Sequence, residues 1–307
     1  MTKTSAPPIA LAPESAPSWM AEAIVSGGGR IAPIAEAVGL IWGNALSAEG
    51  LPELLSSAPA VEWVQLPYAG VERFIHLMND GRTWACGKGV YAEPVAELAL
   101  GLAIAGRRGI IDFARASKWE RPRGRNLLGS NLTILGGGGI TESLLRLLGP
   151  FGARITVVRN QTAPMNGAET VVSPDRLHEA ITNATVVFLA LALTPRTTGI
   201  IGAAELALFS KDTWLVNVAR GKHIQTDALI QALRNESIGG AALDVTDPEP
   251  LPADHPLWSL SNCIITPHVG NTPEMARPLL ADRLRTNVRR YVRGESLIGL
   301  VDTKLGY

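Results

Sequence analysis

Asn131-Leu132-Thr133-Ile134-Leu135-Gly136-Gly137-Gly138-Gly139-Ile140 is the stretch on which the reading of the fold turns. The short apolar run reads as a buried strand, the four glycines as a tight turn, and the amphipathic segment opened by Ile140 and ending near Gly149-Pro150 as a helix. Strand, glycine turn and helix N-terminus are the parts that hold a pyrophosphate, because glycine lets the backbone come close and free N–H groups face the anion. Gly136 and Gly138 fill two positions of the G-x-G-x-x-G frame, with Gly139 and Ile140 leading into the helix. Thr141 stands at the third position, and its Cβ is expected to press on the strand–helix contact that glycine normally keeps tight.

The next strand ends at Val158-Arg159-Asn160. Arg159 lies 23 positions after Gly136 (159 − 136), near the spacing of about 20 at which a ribose-reading residue occurs. A carboxylate there would accept from the ribose 2′-hydroxyl of NAD(H). An arginine cannot accept, but it pairs with a 2′-phosphate through charge-assisted bonds. Arg159, with Asn160 beside it, therefore predicts NADP(H) as the preferred cofactor, NAD(H) remaining possible.

Outward from this stretch the strand–helix alternation continues to His268, with strands predicted at 132–135, 154–158, 186–191, 214–218, 240–245 and 263–266. Upstream the same rhythm runs through strand-like 9–11, 38–42 and 61–65 and helix-like 18–25 and 48–57, and breaks at Gly87-Lys88-Gly89. A long apolar helix from Tyr91 to about Ile110, with Glu93-Pro94 suited to its first turn, is predicted to connect two domains. The segment 272–293 is again helical, and as it is too short for a third domain it is expected to return to the first. The expected fold is α/β, with two Rossmann-like or flavodoxin-like parallel-sheet domains and the active site in the cleft between them. Residues 1–100 and 276–307 form a discontinuous substrate domain and 101–275 the dinucleotide-binding domain. No internal repeat or low-complexity tract interrupts this reading.

Composition narrows the partners. The 307 residues are 46% apolar and carry 28 basic and 28 acidic side chains, so no field attracts a polyanion. Arg107-Arg108 and Arg121-Pro122-Arg123-Gly124-Arg125 read as solvated surface or an interface arm rather than a nucleic-acid footprint. Cys86 and Cys263 lie far apart, which fits a reducing cytoplasm and two small apolar side chains, not a disulfide or a metal site. Lys3 followed by prolines at 7, 8, 13 and 17 does not make a secretory signal, so a cytoplasmic protein is expected. The apolar stretch 95–106 contains Glu97 and falls short of the roughly 20 residues that span a bilayer.

Three strings carry chemistry: Asn217-Val218-Ala219-Arg220-Gly221, Asp244-Val245-Thr246-Asp247-Pro248-Glu249-Pro250 and Thr266-Pro267-His268. Each closes an apolar, strand-like run. Together they offer a guanidinium to hold a carboxylate or carbonyl, an imidazole for acid/base work, and a carboxylate to pair with it. Singly, an Arg-Gly, a Glu-Pro or a Pro-His is an ordinary turn. All three at strand C-termini of one α/β domain point to an active site, because such sheets bind ligands there.

The runs Leu215-Val216-Asn217-Val218-Ala219-Arg220-Gly221, Ala241-Ala242-Leu243-Asp244-Val245 with Glu249-Pro250-Leu251-Pro252 and His255-Pro256-Leu257-Trp258, and Ile264-Ile265-Thr266-Pro267-His268-Val269-Gly270 resemble the D-isomer-specific 2-hydroxyacid dehydrogenases. Leu66-Pro67-Tyr68-Ala69-Gly70-Val71 and Gly89-Val90-Tyr91-Ala92-Glu93-Pro94-Val95-Ala96-Glu97 look like that family's substrate loop and interdomain helix, so the resemblance runs from about Val61 to Arg293. It implies that Arg220 grips the substrate's carboxylate and carbonyl, that His268 is the acid/base and that Glu249 pairs with His268. The physical chemistry agrees, since reducing a 2-oxo acid needs a proton for the developing alkoxide and an arginine fork suits a carboxylate.

The resemblance further implies Asp244 near the nicotinamide carboxamide, with Leu193-Thr194-Pro195, the Val218-Ala219 backbone and Gly270 along the cofactor. It also implies that the backbone N–H groups of Ala69 and Gly70 take the substrate carboxylate. Tyr68, with Trp42 and Asn44, is expected to line the pocket. Departures from the family pattern are Thr141, Ala192 where proline is common, and Leu98 where histidine is common. The stretch 114–129 resembles the arm through which the family forms homodimers. The implied activity is NAD(P)-dependent interconversion of a 2-oxo acid and a D-2-hydroxy acid, with glyoxylate or hydroxypyruvate reduction first and a short phosphoglycerate dehydrogenase second. A non-catalytic NAD(P)-sensing binding protein of the same fold is the rival from another class.

Overall fold

The computed structural model describes residues 6–306. Lys3 and the outermost residues of the expected first domain lie outside the described residues. The chain falls into two compact units, one taking the residues up to Tyr91 and from Thr272 onward, the other running continuously over Ala92–Asn271.

The first stretch forms β1 (Pro8–Ala12), α1 (Ser18–Ser26), β2 (Arg30–Ile31), β3 (Gly39–Trp42), α2 (Leu51–Ser56), β4 (Trp63–Gln65) and β5 (Thr83–Ala85). The strands line up as β2-β1-β3-β4-β5, all neighbours parallel. Side chains alternate across this sheet with the two-residue period of a strand. Ile9, Ile41 and Trp63 enter one core with Met20 and Ile24 of α1, while Ala10, Leu40, Trp42 and Val64 enter the other. Two strands escape the hydrophobic pattern. β2 has two residues, both exposed, and β5 has three, so neither offers a period to read.

The second unit opens with α3 (Ala92–Arg108), which matches the predicted helix to within two residues at its end, and with α4 (Ile110–Arg115), a further short helix set off by Gly109. β6 (Asn131–Leu135), α5 (Gly139–Leu148), β7 (Arg154–Val158), β8 (Thr170–Val172), α6 (Leu177–Ile181), β9 (Val186–Leu189), α7 (Ala203–Leu206), β10 (Trp214–Asn217), α8 (Thr226–Arg234), β11 (Gly240–Leu243) and β12 (Cys263–Ile265) follow. The sheet order is β12-β11-β10-β9-β6-β7-β8, again wholly parallel. Leu132, Ile134, Val157, Phe188 and Val216 face α3 and α5 on one side, and Leu135, Leu189, Leu215 and Leu243 face α6 to α8 on the other. Both faces are therefore apolar, as a parallel sheet covered by helices requires. Each fully buried aliphatic side chain contributes about 1.5–3 kcal/mol of transfer free energy, so these two layers dominate the unit's stability.

From β6 the chain winds to one side through β7 and β8, then to the other through β9 to β12. That reversal makes the gap between the β6 and β9 ends a topological switch point, where doubly wound sheets bind ligands. The last helix, α9 (Pro273–Val292), belongs to the first unit and adds Leu280, Leu284 and Val288 to the core that holds Ile9 and Ile24. Among the described residues no helix is long and apolar enough to cross a membrane.

Candidate active site

Strand register sets the site. Val158, Leu135, Leu189, Asn217, Leu243 and Ile265 are successive partners across β7, β6, β9, β10, β11 and β12. The residues that follow them therefore emerge along one edge of the sheet, and they are Arg159, Gly136, Ala190, Val218, Asp244 and Thr266. The glycine turn, Arg159 and the three strings expected to carry chemistry share that edge. With strands about 4.8 Å apart, the Arg220 and His268 strings leave the sheet about 10 Å from each other.

At the switch point the ends of β6 and β9 touch. Gly136 has φ +112°, and a Cβ there would lie 2.1 Å from the Ala190 carbonyl oxygen, so only glycine passes. Gly138 has open space where a side chain would project, and the N-terminus of α5 beginning at Gly139 and Ile140 has no side-chain cap. The uncapped N–H groups and the room over Gly138 fit a pyrophosphate. Thr141 is fully buried, and its hydroxyl donates to the Gly136 carbonyl at 3.0 Å. Rather than wedging the turn open, the threonine ties its first glycine to the helix.

Arg159 folds back over the turn. Its Cδ lies 2.4 Å from where a Gly137 Cβ would sit, its Nη1 is 3.5 Å from the Gly137 carbonyl, and its Nη2 is 3.3 Å from Gln161 Oε1. Nε donates to the Gln161 carbonyl. The guanidinium is thus held beside the glycine turn on a half-buried stem, while Asn160 next to it is exposed.

The Arg220 string leaves β10 through Asn217, a completely buried amide. Asn217 Oδ1 accepts from Ala219 N at 3.0 Å and its Nδ2 donates to Arg220 O at 2.8 Å, which bends the chain sharply around Val218 and Ala219. Arg220 Nη1 donates to Ala219 O at 2.7 Å. Gly221 is required next, since a Cβ would lie 2.0 Å from the Thr246 carbonyl group. The arginine turn is pressed onto the neighbouring string.

His268 Nδ1 lies 2.7 Å from Glu249 Oε1, with the side chains 53% and 41% exposed. A proton on Nδ1 satisfies the carboxylate and leaves Nε2 as the nitrogen turned away from it, able to exchange a proton with a ligand. The backbone at His268 is left-handed, φ +54°, which a residue with a side chain adopts at a cost. Asp244 holds it there. Its Oδ1 accepts from Thr266 Oγ1 at 2.6 Å and Val269 N at 2.8 Å, its Oδ2 from Gly270 N at 2.9 Å, and its own carbonyl from His268 N at 2.9 Å. This carboxylate, expected beside the cofactor, spends both oxygens on the 266–270 loop.

Beyond β9, Thr194 N donates to Thr197 Oγ1 at 2.8 Å, fixing the turn that contains Thr194. In the first unit, Tyr68, Ala69 and Gly70 follow β4. Tyr68 is 45% exposed and packs edge-on against Tyr91, whose hydroxyl donates to Pro67 O at 2.8 Å. Two expected pocket residues have other work. Trp42 is buried in the core with Nε1 on Ser47 O at 3.0 Å, and Asn44 Oδ1 caps its own turn by accepting from Leu46 N and Ser47 N. Reasoning from the sequence missed Asn217 and Thr197, although an amide ending an apolar strand just before Arg-Gly was a signal for the first.

Residues 100–270 match the family model described as D-isomer specific 2-hydroxyacid dehydrogenase, NAD binding domain. An uncharacterized Corynebacterium melassecola protein is 37% identical over 295 residues, 93% of this chain and 95% of that one. The glyoxylate reductase of Thermococcus gammatolerans is 33% identical over 218 residues, covering 67% of this chain and 65% of the reductase, so the chain aligns with just under two thirds of that relative's length. Among solved structures, a D-isomer specific 2-hydroxyacid dehydrogenase from Xanthobacter autotrophicus, in complex with NADPH and MES, shares the fold with a TM-score of 0.85 at 23% identity, covering 99% and 100% of the two chains. With a glycine turn at the switch point of a parallel sheet and the family match across that whole sheet, this chain belongs to the D-isomer specific 2-hydroxyacid dehydrogenases.

Proposed function

We propose that this protein reduces a small 2-oxo acid to the D-2-hydroxy acid, and catalyses the reverse oxidation, with glyoxylate or hydroxypyruvate as the first substrates to test and NADPH preferred to NADH. The observation that carries the reading is the His268–Glu249 pair at the edge of β12, one imidazole nitrogen committed to a carboxylate and the other turned away from it. The bound nicotinamide supplies hydride. His268 gives the proton from Nε2 to the substrate's carbonyl oxygen in reduction and takes it back in oxidation, while Glu249 holds Nδ1 and orients the ring. Arg220 holds the substrate's carboxylate and polarises the adjacent carbonyl, assisted by the backbone N–H groups of Ala69 and Gly70, with Tyr68 beside them.

Gly136, Gly138, Gly139, Ile140 and Thr141 hold the pyrophosphate, and Thr194, Val218, Ala219, Asp244 and Gly270 line the rest of the cofactor. Arg159 and Asn160 read the adenosine ribose, the guanidinium favouring a 2′-phosphate. The discontinuous first unit is the substrate domain, and the chain works as a cytoplasmic homodimer. The fully exposed Trp119 within the 114–129 arm supports that pairing. Nicotinamide absorbance at 340 nm, followed with a panel of 2-oxo acids against NADPH and NADH, tests the reaction. Turnover with none of them sinks it in favour of a cofactor-sensing binding protein, and kcat/KM with NADH equal to or above that with NADPH overturns the role of Arg159.

A further inference from the structure

His223 has no part in the proposed reaction, yet it is completely buried. Both nitrogens of its ring lie on backbone carbonyl oxygens, Nδ1 2.9 Å from Thr197 O and Nε2 3.2 Å from Leu191 O. Those carbonyls stand at the two ends of the loop that follows β9, and Thr194 sits between them. Inside the loop Thr197 makes a second tie, its hydroxyl donating to Ala192 O at 2.8 Å while accepting from Thr194 N.

The backbone of His223 belongs to a different part of the site. It lies in the short helical turn Gly221–His223 directly after Arg220, its N–H donating to Arg220 O at 3.2 Å and its carbonyl accepting from Ile201 N at 3.0 Å. Gly199 N donates to the neighbouring Lys222 O at 2.8 Å, and Gln225 N returns to Ile201 O at 2.9 Å. One side chain thus spans the loop after β9 from a backbone anchored one turn from Arg220. A neutral imidazole donates through one nitrogen and a protonated one through both, so the ring satisfies at least one loop carbonyl in either state. An aliphatic side chain fills the same space and leaves both carbonyls without that donor, a costly arrangement in a buried site.

We infer that His223 is a positioning residue that holds the 191–197 loop in the form that receives the nicotinamide cofactor and links that loop to the turn bearing Arg220. The inference rests on the proposed cofactor and substrate roles of Thr194 and Arg220. Cofactor that orders the loop then also steadies the Arg220 turn, so His223 acts on cofactor affinity first and on the chemical step little.

The test compares wild type, His223→Leu and His223→Gln by fluorescence titration with NADPH and NADH, by steady-state kinetics and by thermal unfolding. His223→Leu is expected to raise the cofactor Kd and KM about tenfold, the worth of one buried hydrogen bond. Its kcat at saturating cofactor should change less than about threefold, the signature of lost binding rather than lost transition-state contact. His223→Gln, whose amide donates to one carbonyl, should recover part of the affinity. A folded His223→Leu that binds cofactor like wild type overturns the inference, as does a loss of kcat at unchanged cofactor KM. Should neither variant fold, hydrogen exchange on the wild type decides. Added NADPH is expected to slow the amides of Thr197 and Gly199 together with those of Ile224 and Gln225, and protection confined to the first pair overturns the link. Wild type that binds neither cofactor sinks the reading of the site itself, and this inference with it.

Discussion

Two histidines of the continuous unit meet a glutamate at nearly the same distance, His268 with Glu249 at 2.7 Å and His178 with Glu205 at 2.8 Å. Both imidazoles are more than half exposed. By distance and residue type the pairs are interchangeable, and their surroundings separate them. His178 sits on the short helix α6 and uses Nε2, while its partner Glu205 also accepts from Gly202 N at 2.9 Å at the start of α7. That pair ties two surface helices. His268 leaves β12 in a left-handed conformation, uses Nδ1, and stands on a loop held by a buried aspartate. A contact becomes a candidate catalytic pair when the backbone beneath it is held in place at some cost, and a surface ion pair needs no such support.

The comparison breaks most sharply on removal of the rings. His268→Ala is expected to lower kcat by about 10²–10⁴-fold with little change in Tm, whereas His178→Ala should leave kcat within about twofold. Equal losses of turnover in the two variants would erase the distinction. The partners come next. Glu249→Gln should lower kcat by about 10–10³-fold through loss of the acceptor that fixes the ring's orientation and tautomer, with Glu205→Gln near wild type in the same assay.

Support beneath the ring is the third test. Asp244→Asn replaces one acceptor oxygen with a donor facing N–H or O–H groups, so it should cost about 1–3 kcal/mol of stability and slow the reaction, as measured by unfolding and by kcat. No change in either would mean that the 266–270 loop does not depend on this carboxylate.

The smallest effect is in acid. Partial burial pushes the Glu205 carboxyl up, but hydrogen bonds from His178 and the Gly202 and Glu205 backbone outweigh it and hold the group below the usual carboxylate range. A carboxyl depressed by folding adds stability that is complete above its unfolded value and is lost as pH falls through its folded value. Glu205→Gln should therefore flatten the fall of the unfolding free energy below about pH 4.5, by no more than about 1 kcal/mol. Glu249→Gln serves as the comparison profile, and identical acid limbs for wild type and Glu205→Gln would remove the helix-tying role.

Much of this contrast was open to reading in the chain. The glycine turn, Arg159 and the strings ending at Arg220 and His268 are all local, because each sits at the end of an apolar run and strand ends are what an alternating pattern marks. What stayed hidden depended on tertiary partners. That Asp244 also braces the catalytic loop is not legible, since the residues that bond both its oxygens lie 22 to 26 positions downstream. Trp42 and Asn44, expected beside the pocket, have partners that sequence does not show, the first drawn into the core and the second closing its own turn. Thr141 looked like a steric fault in the glycine frame, since sequence alone does not show that its hydroxyl reaches the Gly136 carbonyl. β2, β5 and β8 have two or three residues each, fewer than a periodicity needs.

The route of the chain through its two units sets the order in which they are able to mature. Ala92–Asn271 is one uninterrupted stretch whose sheet and covering helices are all encoded within it. The other unit lacks Leu280, Leu284 and Val288, one wall of the core around Ile9 and Ile24, until α9 has been synthesised. On a translating ribosome the early strands therefore wait, with an apolar face uncovered, while a later segment completes its own sheet first. The residues up to Tyr91 precede Ala92–Asn271 in the chain, yet the core around Ile9 and Ile24 is closed only by the helix that comes after both.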